Sequence, residues 1–117
     1  MNRPPLPVIV IAILFLLTGI ASLAGDAFNF KAVATSHYVV WIAGVHLLAI
    51  VAGVFLLLRR NWARWLAIAW MVFHVAISLC HPLQQLLVHA AFLLLFAWFL
   101  FFSAEVRAWF GGSQAAA

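Results

Sequence analysis

The sequence predicts an all-α integral membrane protein, an antiparallel up-down-up-down bundle of four transmembrane helices with both termini in the cytoplasm. Three observations predict it. Hydrophobic residues make up 69% of the 117 and charged residues only 7%. Four apolar runs, Leu6–Gly25, Tyr38–Leu58, Ala63–Cys80 and Leu83–Phe102, are each 18 to 21 residues long. The basic residues cluster at one turn, Arg59, Arg60 and Arg64.

A soluble domain of this size needs a polar skin, with roughly a quarter of its residues charged. Six basic and two acidic residues cannot supply one, so the solvent for most of the chain is lipid. Each apolar run matches the roughly 20 residues that carry a helix across the hydrocarbon core. In lipid the backbone must satisfy its own hydrogen bonds, which makes these runs helices, and none alternates as a membrane barrel strand does. Residues 26–37 form the longest loop, Arg59-Arg60-Asn61-Trp62 a tight basic turn, and His81-Pro82 the break before the last helix, because proline cannot continue a helix. Residues 1–110 read as one domain and residues 111–117 as a disordered tail.

The basic turn belongs in the cytoplasm, and an even number of spans puts Arg3 and Arg107 there too. Trp62, Trp65 and Trp109 then fall at the inner interface, Tyr38 and Trp41 at the outer one, as an aromatic belt predicts. A multi-pass protein of a cell membrane follows, a bacterial inner membrane being the simplest case. Arg3, the first apolar run and Ser22-Leu23-Ala24 also have the layout of a cleavable signal peptide; the length of the run argues against cleavage. The net charge of +4 is gathered at a turn and does not form a phosphate-tracking stripe, which argues against nucleic acid as a partner. The single cysteine, Cys80, leaves no internal disulfide and no CxxC pair.

The five histidines carry the functional expectation. His37 and His81 fall at helix ends, whereas His46, His74 and His89 lie inside apolar runs, where an ionisable side chain is costly and marks a functional candidate. In an antiparallel hairpin, residues symmetric about the turn lie at one level. The midpoint of His74 and His89 is 81.5, in the His81-Pro82 break, and that of His46 and His74 is 60, in the basic turn. All three therefore share a layer, roughly 9 to 12 Å below the outer surface at 1.5 Å per residue. Thr18 pairs with His46 about a midpoint of 32, which places Thr18 and Ser22 at or just above that layer. Small residues at Ala43, Ala49 and Gly53 mark the face of His46 as one where helices approach closely. Ser78 and His81 share a face with His74, and Gln85 shares one with His89, extending a polar stripe toward the outer surface.

Neutral imidazole ligates copper, zinc and haem iron, so His46, His74 and His89 are the expected cofactor or metal ligands, with b-type haem, copper or zinc as the groups they suit. Thr18, Ser22, Ser78, His81 and Gln85 are the supporting polar residues. No carboxylate is expected in the layer, since Asp26 and Glu105 fall near helix ends. The bland alternative is that each histidine bonds a hydroxyl or carbonyl and holds helices together, as in an accessory or scaffold subunit of a membrane complex. A third class is a transporter or channel protomer, which at this length needs a homo-oligomer to form a pathway. The aromatic residues Phe92, Phe96, Trp98, Phe99, Phe101 and Phe102 of the last run suit packing, or a flat wall beside a haem or quinone. No motif specifies a reaction, and the reading leans away from an enzyme.

Overall fold

In this computed structural model, which describes residues 3–28 and 39–116, the chain is entirely helical, with no strand among the described residues. The elements are α1 (Leu6–Phe28), α2 (Val39–Leu57), α3 (Asn61–Ser78), α4 (Leu83–Ala97), a π-helical turn (Trp98–Phe102) and α5 (Ala104–Ala116). Lys31, His37 and Tyr38 lie outside the described residues. Two stretches are long and apolar enough to cross a membrane, Leu6–Phe28 and the continuous Leu83–Phe102, while Trp41–Leu57 is a shorter apolar helix. Two of the four expected spans are thus both long and apolar enough for a crossing.

The tightest packing joins α1 to α2, and glycine makes it so. A Cβ added to Gly19 would meet the His46 carbonyl oxygen at 2.8 Å, and one added to Gly53 would meet the Ala12 carbonyl oxygen at 2.9 Å. Each glycine therefore lets its helix approach the partner's backbone, with Ala12, Ala49 and Ala52 buried between them. The α2–α3 connection is a Schellman turn, in which the Arg60 N–H donates to the Phe55 carbonyl and the Arg59 N–H to Leu56. Arg59 takes the left-handed position with φ of 64°, which ordinarily goes to glycine. Its side chain offsets that strain by donating to the Trp109 carbonyl at 2.6 Å and lying 5.6 Å above the Trp109 ring.

At its other end α3 stops at Ser78, and α4 restarts after Pro82 with its first-turn bond from Gln85 to the Pro82 carbonyl. Beyond α4 the helix widens into the π-turn, closed by the Ser103 N–H donating to Trp98, and Ser103 turns extended. Nothing in the sequence announces the widening. It redirects the chain into α5, which is helical through residue 116, so most of the tail expected to be disordered is helix; its alanines favour that state despite two glycines. Val106, Trp109 and Phe110 are buried against the bundle, and Trp109, expected at a membrane interface, is covered. The core consequently gathers at the arginine end, from Val8 and Leu56 through Ala63, Ala67 and Leu100 to Phe110.

The glycine contacts lead to a paired expectation. Gly19→Ala and Gly53→Ala should each lower stability by about 1–3 kcal/mol through overpacking, as read by unfolding in mixed detergent micelles. Gly44→Ala, where an added Cβ meets nothing within 4 Å, should be neutral or slightly stabilising.

Candidate functional site

At the end of the bundle away from the arginines, polar side chains from all four long helices lie close together. On α1 and α2, the Asp26 carboxylate accepts a hydrogen bond from His46 Nδ1 at 2.8 Å, both side chains being about a quarter exposed. Side chains tilt toward the N-terminus of their own helix, so in an antiparallel pair those of Asp26 and His46 lean toward each other across several residues of offset. The midpoint rule ignores that tilt. It selected Thr18 and left Asp26 outside the layer, and the carboxylate orienting an imidazole is a correction to the sequence expectation.

On α3, Trp70 is the hub. Its indole N–H donates to the Val45 carbonyl of α2 at 2.8 Å, its ring meets Phe15 of α1 edge-on at 5.3 Å, and its other face stacks on the His74 ring at 3.7 Å. His74 Nδ1 donates one turn back to the Trp70 carbonyl at 2.9 Å. Next along that face, buried Ser78 donates its hydroxyl to the His74 carbonyl at 2.7 Å and lies 2.6 Å from His89 Nδ1 of α4. The His74 and His89 rings are 5.8 Å apart, edge to face.

These partners determine where the protons are. A carbonyl can only accept, so the one hydroxyl proton of Ser78 goes to His74 and the hydroxyl oxygen must accept from His89 Nδ1–H. The Trp70 carbonyl and the Asp26 carboxylate likewise require Nδ1–H on His74 and His46. In their neutral forms all three imidazoles are therefore held in the same tautomer, with the lone pair on Nε2. Among the described residues no buried side-chain nitrogen or oxygen lacks a partner, so these unpaired Nε2 edges face accessible space.

His46 and His89 both lie within electrostatic reach of His74. They do not converge on one point: among the described residues no three His, Cys, Asp or Glu side chains are grouped to hold a metal ion. Thr18 and His89 face a cavity of about 180 Å³ between α1, α3 and α4. Gln85 lies with Pro82 and His89 along an open groove of about 340 Å³. Ser22 is half-buried and His81 exposed, and neither joins the hydrogen bonds of the histidines. A larger groove of about 620 Å³ between α2 and α3, lined by Trp41, Val45, Leu48, Trp70 and Phe73 among others, is almost wholly apolar.

No protein family, curated protein or solved structure matches the chain.

Ser78 is the residue through which the tautomer assignment can be checked. In Ser78→Ala, His89 should lose its single tautomer and show a mixture of Nδ1–H and Nε2–H forms in long-range ¹H–¹⁵N spectra. Stability should fall by about 0.5–1.5 kcal/mol. A His89 signal already mixed in the parent protein would refute the assignment.

Proposed function

We propose that the chain is a four-span membrane protein whose histidine cluster, in the extracytoplasmic half of the bundle, is a ligand site working through the Nε2 atoms of His46, His74 and His89. The membrane part rests on exposure. Leu17 of α1, Leu48 of α2, Phe73 of α3 and Leu94 of α4 are 60%, 44%, 47% and 72% exposed, so all four helices turn large apolar side chains outward, which water would not tolerate over such an area. α3 has 18 residues but is less apolar than the spans, because its first turn is polar; Arg64 of that turn is covered by Phe110 of α5, and the basic end fits the cytoplasmic side.

The ligand-site part rests on one observation, that three imidazoles are each held by Nδ1 so that the same nitrogen is left open. Helix-to-helix adhesion does not require this. The His74 bond runs to its own helix, where it orients the ring and joins nothing. A second reading, a haem or transition-metal centre, draws on the same fact, because ligating histidines are held in this way by a carbonyl or carboxylate behind them. The absence of three grouped ligands among the described residues favours a small molecule held by hydrogen bonds over a shared metal.

Two measurements test this. Cys80 is the only cysteine, is exposed and belongs to the histidine end. A membrane-impermeant maleimide should label it in intact cells, whereas Cys80→Ser carrying Arg60→Cys should label only after permeabilisation; the opposite pattern would reverse the orientation. Native mass spectrometry with elemental analysis of protein extracted from membranes should show a bound small molecule or metal that is lost in His74→Ala and His89→Ala. Apo protein alone, with variants that only melt earlier, would assign the histidines a purely structural role.

A further inference from the structure

We infer that the cavity between α1, α3 and α4 binds a single-ring hydroxylated aromatic, a phenol- or hydroquinone-type head group, with its hydroxyl on His89. The inference rests on the reading of the histidine cluster as a ligand site and names the chemistry of what enters it.

Size is the first argument. The cavity holds about 180 Å³, and an apolar protein cavity of roughly 150 Å³ accepts benzene. One six-membered ring with a small substituent fits; a haem or a fused multi-ring system does not.

The walls are the second. Phe15, Trp70, Phe92 and Phe96 line it, and they form one continuous aromatic surface: Phe15 meets Trp70 at 5.3 Å and Phe96 at 5.6 Å, and Phe92 meets Phe96 at 5.6 Å. Such rings receive another ring edge-on or offset.

The polar end is the third. The lining carries His89 and Thr18, with no carboxylate for an amine and no cation for an acid. Ser78 holds His89 Nδ1, so Nε2 is an acceptor and calls for a ligand hydroxyl that donates. Thr18 supplies a second hydroxyl. His89 also lines the open groove beside Pro82 and Gln85, so the hydroxyl end of the ligand points to the polar mouth and the ring to the aromatic walls. α1 and α4 meet here through the Phe15–Phe96 contact but do not pack along their length. A tail on the ring can therefore leave sideways, which suits a ligand delivered by the membrane.

The test is ¹⁹F NMR of 4-fluorophenol with the full chain in lipid nanodiscs, beside 4-fluorotoluene, which has the same shape and no donor. Saturable binding of the phenol is expected, with 4-fluorotoluene about five- to tenfold weaker, the worth of one neutral hydrogen bond. His89→Phe should abolish the preference and His89→Gln, which keeps an acceptor, should retain part of it. Val88→Phe, at an exposed rim position, should block binding of both probes without disturbing the core. Competition separates the sources: 4-hexylphenol displacing the probe better than phenol assigns a membrane-borne ligand, and equal displacement a free one. Equal binding of the two fluorinated probes, or a phenol preference that survives His89→Phe, would overturn the inference. A co-purified molecule that depends on His74 and His89 but is not displaced by phenols would overturn it too, while leaving the histidine site intact.

Discussion

A buried arginine sets the architecture. Arg64 is only 9% exposed in a chain that is 69% hydrophobic, and an uncompensated buried charge would cost several kcal/mol. Each nitrogen of its guanidinium finds a partner within the fold. Nε and one terminal nitrogen donate to the Asn61 side-chain oxygen on the same helix, and the other terminal nitrogen donates to the Leu100 carbonyl at 2.8 Å. Phe101 and Phe110 cover the group from 4.8 and 4.9 Å, as aromatic faces do for cations. The carbonyl at Leu100 belongs to the π-turn, where the widened spiral disturbs the regular bond ladder. Charge and irregular backbone thus resolve each other, and the chain turn that brings α5 across the end of the bundle becomes affordable in an apolar setting. Arg59 repeats the arrangement on a smaller scale with the Trp109 carbonyl.

That solution makes the two ends of the molecule unlike. At the arginine end side chains interlock around Leu56, Leu100, Val106 and Phe110, all fully buried. At the histidine end Ser78 is the buried polar anchor, while His46, His74 and His89 stay partly open and three separate clefts reach the surface. The proposed ligand site lies at the less packed end, held in shape by a rigid support. The close α1–α2 contact through Gly19 and Gly53 provides that support, because Gly19 packs on the His46 carbonyl itself. Position of the helix is thereby fixed from one side while the imidazole reaches out on another.

The helices were legible in the sequence because long apolar runs between clear breaks leave few options: Pro82, the basic turn and the lengths of four apolar runs place every long helix to within a few residues. The nearness of His74 and His89 was legible too, since symmetry about the His81-Pro82 break needs no knowledge of faces. What escaped depends on direction and context. Asp26 joins His46 through side-chain tilt, which spacing alone does not register. The π-turn at Trp98–Phe102 sits inside an unbroken apolar run with no glycine or proline to announce it. Arg64 read as one of three equivalent topology charges, yet it is the one whose side chain points inward between Phe101 and Phe110; only the fold of α5 over α3 distinguishes it from Arg60, which is exposed.

The histidines themselves supply the last step. An interhelical imidazole that serves only to bind helices together is satisfied once it bridges two of them, and His89 does bridge, through Ser78. His74 does not. Its nitrogen bonds its own helix, its ring stacks on Trp70, and a leucine would fill the same space without the desolvation of an imidazole. Trp70, moreover, is itself clamped to the Val45 carbonyl, so the ring it supports is positioned from α2 and α3 together. A polar group held this firmly, with its reactive edge left open, is the arrangement that a binding site requires and that adhesion between helices does not.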